Sequence, residues 1–142
     1  MIVLDTNVLS EAMRPNPDGR VLGWMNDQAA ETLFLSSVTV AELLFGVRSL
    51  PHGRRRGDLT RQLDGALALF AGRVLPFDEA AALLYADMAV RARSAGRPLP
   101  EADGFIAATA AAHGFGIATR NIRDFLDTGV DLIDPWSAAG RV

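Results

Sequence analysis

The chain has 142 residues, 49% of them hydrophobic, and a formal net charge of −3; this is one domain's length, with material for a sizeable core and too apolar for a disordered chain. It has no cysteine and no lysine, and only His52 and His113 as imidazoles, so disulfides, thiolate chemistry and lysine-based catalysis are excluded, a histidine-built metal site is disfavoured, and every basic side chain is an arginine. The mild acidity argues against holding nucleic acid by bulk charge, and the lack of any apolar run near the ~20 residues of a membrane span, or of a basic leader, predicts a cytoplasmic protein without membrane contact.

The chain opens on Ile2-Val3-Leu4, a short apolar run broken at once by Asp5-Thr6-Asn7. Such a run reads as a buried strand. The three polar residues can each cap a helix, and Val8, Leu9 and Met13 supply its apolar face. Asp5 therefore lies just past the carboxyl end of a strand, where ligands bind in open α/β sheets. A cap or turn former explains Asp5 equally well at this point.

After the break Pro15-Asn16-Pro17-Asp18, with Pro17 suited to a first helical position, Val21, Leu22, Trp24 and Met25 fit a second helix ending near Asp27. Leu33–Ser36 reads as a second buried strand. Thr39-Val40-Ala41-Glu42 matches a capping box ahead of the helical run Leu43, Leu44, Phe45, Val47 and Leu50. Pro51-His52-Gly53 stops that helix, and Arg54-Arg55-Arg56 starts a longer one through Leu59, Leu63, Leu67 and Phe70. Val74-Leu75-Pro76 is a short extended piece. Asp78 caps a helix that Gly96 ends. Leu99–Ala102 leads into a helix from about Asp103 to His113, stopped by Gly114. Gly116–Thr119 is a further strand, Asn121 opens a helical turn reaching Phe125, Asp131–Ile133 is the final strand, and Pro135-Trp136 closes the fold. Strands alternating with helices predict an α/β fold, a single domain over residues 1–142 with a parallel sheet flanked by helices on both faces.

Four acids, Asp5, Glu42, Asp103 and Asp124, follow strands or open helices, which places them toward one edge of such a sheet. Each has a plain alternative. Glu42 can complete its capping box, and Asp103 and Asp124 can favour the positive end of a helix dipole. If the acids converge, electrostatics takes over. Two carboxylates about 4 Å apart repel by about 4 kcal/mol at an effective dielectric of 20. Four would not stay ionised together without a cation. Oxygen ligands without imidazole or thiolate select a hard ion, Mg²⁺ or Mn²⁺. Such ions polarise phosphoryl oxygens and activate water, and phosphodiester hydrolysis is the reaction class that fits.

The strings Leu4-Asp5-Thr6-Asn7, Val40-Ala41-Glu42-Leu43 with Gly46, Asp103-Gly104-Phe105-Ile106-Ala107-Ala108-Thr109-Ala110, and Ala118-Thr119-Arg120-Asn121 with Asp124-Phe125 resemble those of PIN-domain proteins. Within that family the chain is similar to the VapC-type toxins, including the FitB-like branch, from Ile2 to about Trp136. The resemblance implies an α/β/α PIN fold, a Mg²⁺- or Mn²⁺-dependent ribonuclease acting on RNA, a homodimer, and a small cognate antitoxin that binds DNA and blocks the acidic site. Carried over by position, Asp5, Glu42 and Asp103 are the core catalytic and metal-binding acids, and Thr6, Asn7 and Thr119 support the pocket. Some family members place the fourth acid where Asn121 stands and others where Asp124 stands. Asp124 is the expected ligand here, with Asn121 as the cap that aims it.

Arg120 and Arg123 are candidate phosphate contacts, with loop arginines as the alternative. Arg54-Arg55-Arg56 reads as a solvated helix start ahead of an RNA patch. Trp24, Phe45 and Phe70 read as core or dimer face, and His52 and His113 carry no assigned chemistry. A response-regulator receiver also gathers acids at strand ends, but it needs an early acidic pair and a late lysine that this chain lacks. A PIN-like housekeeping nuclease, or a module that binds without cutting, remains as the alternative function.

Overall fold

The computed structural model describes residues 1–137. Among them, five strands form an all-parallel sheet in the order β3-β2-β1-β4-β5. The strands are β1 (Ile2–Leu4), β2 (Leu33–Ser36), β3 (Val74–Leu75), β4 (Gly116–Ala118) and β5 (Leu132–Ile133). The helices are α1 (Thr6–Ala12), α2 (Gly19–Asn26), α3 (Ser37–Arg48), α4 (Arg54–Ala68), α5 (Glu79–Ser94), α6 (Glu101–Ala112) and α7 (Ile122–Phe125), with a 3-10 turn at Ala30–Thr32. No helix among the described residues is long and apolar enough to cross a membrane.

The strands alternate their side chains between two cores, as a sheet covered on both faces requires. Leu4, Leu33, Leu35 and Ala118 pack with Val8, Leu9, Val21, Leu43, Leu63 and Phe70 from α1 to α4 and the turn that follows. Val3 and Ile117 face the other way, onto Ala81, Met88, Ile106, Ala107, Ala110 and Phe125. Each fully buried Leu, Ile or Phe contributes about 1.5–3 kcal/mol, so the short strands are held by their flanking layers as much as by their ladders. Trp24 packs at the edge of the first core and Phe70 is buried in it, whereas Phe45 is 74% exposed.

The strand order reverses at β1. The chain leaves β1 toward β2 and β3, then crosses back to place β4 on β1's other side. The carboxyl ends of β1 and β4 thus flank a topological switch point, the usual ligand crevice of this architecture.

Four local expectations are corrected. Pro17 is not a first helical position, because the side chain of Asp18 accepts from Arg20 N (2.9 Å) and caps α2 instead. Thr39 does not cap its helix. Ser36 does, accepting from Thr39 N at 3.0 Å, so α3 starts at Ser37 and Glu42 lies in its second turn, beyond any capping box. Asp103 is the third residue of α6, which begins at Glu101 behind Pro100. Asn121 precedes α7, but its side chain makes no capping hydrogen bond.

Gly104 fixes where α6 sits. A Cβ there would meet Tyr85 Cε2 at 2.7 Å and Leu99 Cδ2 at 3.0 Å. Tyr85 has little room to yield, since its ring lies against Phe105 at 4.7 Å and Phe77 at 6.3 Å. Only glycine allows α6 this close to α5, and that approach sets the position of the adjacent Asp103.

Candidate functional site

Asp5 is the joint between β1 and α1. Its backbone N–H donates to Ala118 O (2.9 Å), continuing the ladder with β4 past the strand end. Its carboxylate is buried, 3% exposed, and accepts three hydrogen bonds. They come from Thr6 N (2.8 Å), Asn7 Nδ2 (3.0 Å) and Thr119 Oγ1 (2.7 Å). Asp5 is therefore the α1 cap, and its carboxylate is pinned at the switch point. Burial pushes its pKa up, against those three donors, and the nearby charge of Glu42 pushes the same way.

The supporting residues form one network around it. The single hydroxyl proton of Thr119 goes to Asp5, leaving its oxygen to accept from Asn121 N (2.9 Å). Asn7 donates to Asp5 and accepts from Arg120 N (3.2 Å), which ties α1 to the loop after β4. Thr6 Oγ1 donates to Glu42 Oε1 (2.7 Å) and so aims the α3 acid toward the end of β1. With its capping role removed, Glu42 has this contact in its place.

Asp5, Thr6, Asn7, Glu42, Asp103, Arg120 and Asn121 line one cavity of about 440 Å³. Asp103 reaches it from the first turn of α6. Its carboxyl is half-buried and pushed up to about 7, first by desolvation and then by the charges of Asp5, Asp124 and Glu42. Asp5, Glu42 and Asp103 therefore share the cavity, and Asp124 is close enough to Asp103 to act on its carboxyl. Asp124 faces Asp103 without lining the cavity, whereas Asn121 lines it. Arg123 stands on a neighbouring concavity with Arg97, Asp124 and Asp127.

The donor set is carboxylate, hydroxyl and amide oxygen, which suits a hard divalent ion. Among the described residues no three acidic or imidazole groups are closed to the spacing of a metal cage. The fit rests on charge: burial and neighbouring acids raise the carboxyls of Asp5 and Asp103, a cost that a cation would remove.

Sequence reading missed Ser10, Glu11, Arg14 and Trp136, which also line the cavity. Ser10 and Glu11 follow Asn7 at i+3 and i+4, the spacing of one face of α1, so their signal was present once Asn7 was placed, whereas Arg14 lies beyond the end of the helix. Glu11 is buried, accepts from Asp18 N (2.9 Å) and pairs with Arg14 (3.2 Å). Trp136 lies beyond β5 and carried no local signal of its position. His52 contacts Arg56, and His113 lies against Thr109 O and the Phe115 ring, all away from the cavity.

The family model described as PIN domain matches residues 2–130. The chain is 51% identical over 140 residues to VapC ribonuclease Y4jK of Sinorhizobium fredii, covering 98% of this chain and 100% of that one. It is 44% identical over 137 residues to Toxin FitB of Neisseria gonorrhoeae, covering 96% and 99%. The structure superposes on that of FitAB bound to an IR36 DNA fragment with a TM-score of 0.91 and 43% identity, covering 96% of both chains.

Proposed function

Because this chain belongs to the PIN-domain family, we propose that it is a Mg²⁺- or Mn²⁺-dependent endoribonuclease and the toxin of a VapBC-type toxin–antitoxin pair. The observation that carries the reading is the cavity at the carboxyl end of β1, where Asp5, Glu42 and Asp103 converge and Thr119 and Thr6 orient the first two. Relatives named ribonuclease and toxin, aligned over nearly the whole chain, support it.

Asp5, Glu42 and Asp103, which line the cavity, would hold the ion, with Asp124 beside Asp103 as the expected fourth acid. When bound, a hard divalent ion supplies Lewis-acid polarisation of a phosphoryl oxygen and a more acidic water. The remaining work belongs to side chains. Thr119, Asn7 and the Thr6 amide hold Asp5 in one rotamer, so it needs no reorganisation when charge develops. Thr6 does the same for Glu42. Asp124 faces Asp103 and, after burial and Asp5, adds to the charge that raises its carboxyl. The partner would be a small antitoxin that covers the acidic cavity and supplies DNA binding to the complex.

The test is cleavage of RNA by the purified protein. We expect activity with Mg²⁺ or Mn²⁺, none in excess EDTA, and recovery on adding either ion back. Full activity in EDTA would sink the metal-dependent reading.

We also propose a two-fold homodimer involving α3 and α4. Phe45 on α3 and Leu69 after α4 are 74% and 73% exposed, more apolar surface than water favours. Light scattering should give twice the 15.2 kDa chain mass at micromolar concentration; a monomer there contradicts the assembly.

A further inference from the structure

Arg120 and Trp136 form a unit at the rim of the acidic cavity. The guanidinium lies over the indole, 5.3 Å from the ring centroid. Trp136 is 8% exposed and belongs to the buried core cluster that includes Leu4, Val8 and Ala118. Its ring is therefore fixed, and its open face is spent on Arg120 rather than left for a base. The backbone of Arg120 is fixed as well, its N–H donating to Asn7 Oδ1 (3.2 Å). Arg14, the other arginine of the cavity, is neutralised by Glu11. Arg120 makes no ion pair among the described residues, despite the surrounding acids. Stacking satisfies the flat face of a guanidinium and leaves its N–H edge for a planar pair of oxygens. An exposed arginine held at both ends, uncharged-partnered and beside four acids, is placed for an anion that those acids would otherwise repel.

We propose that Arg120 grips an RNA phosphate at the rim of the cavity, and that Trp136 is the positioning residue that holds it there. This rests on the ribonuclease reading for its substrate class. It assigns Trp136 a role in substrate binding that its burial alone does not suggest. Arg120 binds the phosphate with its edge while Asn7 and Trp136 keep the guanidinium from collapsing onto the carboxylates.

The test separates binding from cleavage. Fluorescence anisotropy of a labelled single-stranded RNA in EDTA reads affinity, and steady-state kinetics with Mg²⁺ reads kcat and KM. Arg120→Ala should weaken RNA binding by about tenfold and reduce the slope of log K against log salt by about 0.7, one phosphate's share on a single strand. In kinetics the loss should fall on KM. Trp136→Leu should reproduce both effects, Trp136→Phe should recover most of the affinity, and Trp136→Leu in the Arg120→Ala background should add little. RNA affinity and salt slope unchanged in Arg120→Ala would overturn the proposal, whatever happens to cleavage. So would Trp136→Leu and Trp136→Phe losing affinity equally, or losses that add in the double variant. Should the wild type bind RNA through Arg120 but cut none with any divalent ion, the ribonuclease reading fails and this one stands. Should the wild type bind no RNA, both fail.

Discussion

Asp103→Asn should abolish metal-dependent RNA cleavage and at the same time stabilise the metal-free protein. Outer-shell partners of metal ligands typically contribute about 10–100-fold to affinity or activity, so loss of a direct anionic ligand should cost about a hundredfold or more. Stability moves the other way. The Asp103 carboxyl is raised from its ordinary value to about 7 by desolvation and by Asp5, Asp124 and Glu42. Between about pH 4 and pH 7 the folded chain then keeps a proton there that the unfolded chain has released. Stability must therefore fall as pH rises through that window. A shift of about three units corresponds to about 4 kcal/mol, and solvent screening of a half-exposed group reduces this to about 1–2 kcal/mol. Asn carries no charge and removes the penalty. At pH 8 without metal the variant should melt about 2–4 °C higher per kcal/mol gained, and at pH 4 the two proteins should melt together. Thermal denaturation across pH in EDTA checks this; a variant less stable than the wild type at pH 8 contradicts it.

Asp5→Asn should lose cleavage to a similar degree but should not share the gain in stability. Asp5 differs from Asp103 in its partners. Asp103 faces another carboxyl, whereas Asp5 accepts from Thr6 N, Asn7 Nδ2 and Thr119 Oγ1. An amide offers one acceptor oxygen where the carboxylate offered two, and its NH₂ must point at one set of donors. The Thr119 oxygen already accepts from Asn121 N and from Asn7 Nδ2, which takes up both of its lone pairs, so it cannot readily receive another donor. Leaving a buried donor unpaired costs about 1–3 kcal/mol, which offsets or exceeds the relief of removing the buried charge. The Asp5→Asn variant should melt at or below the wild type at pH 8, while Asp103→Asn melts above it. Both substitutions raising the melting temperature equally would mean that the donor network around Asp5 does not exist in solution.

These contrasts separate what the sequence could convey from what it could not. Ile2–Leu4 and Leu33–Ser36 are strands with the boundaries that their apolar runs suggest, because a buried strand needs no partner information to be recognised. The sheet edge was legible too, since strand–helix alternation puts carboxyl ends together. The register of caps was not. Thr39 and Glu42 satisfy the capping pattern, yet Ser36, hidden at the end of a strand, caps α3 first. That three-residue displacement turns Glu42 from a backbone partner into an acid facing Thr6. The choice between Asn121 and Asp124 was similarly beyond local pattern. Asn121 lines the cavity without capping α7, while Asp124, the expected ligand, faces Asp103 outside the cavity lining, and only the three-dimensional arrangement gives each a distinct place. Glu11 was missed because a helix face is read from its apolar residues, and Arg14 because it lies beyond the end of α1.

The proposed centre for a divalent cation is the cavity lined by Asp5, Glu42 and Asp103, with Asp124 beside it. Titration of Mn²⁺ into the protein, followed by electron paramagnetic resonance of the free ion, measures this without RNA. The wild type should bind Mn²⁺ saturably, and Asp5→Asn and Asp103→Asn should each weaken that binding by about tenfold or more, about 1.4 kcal/mol. Equal Mn²⁺ affinity in all three proteins would contradict the account.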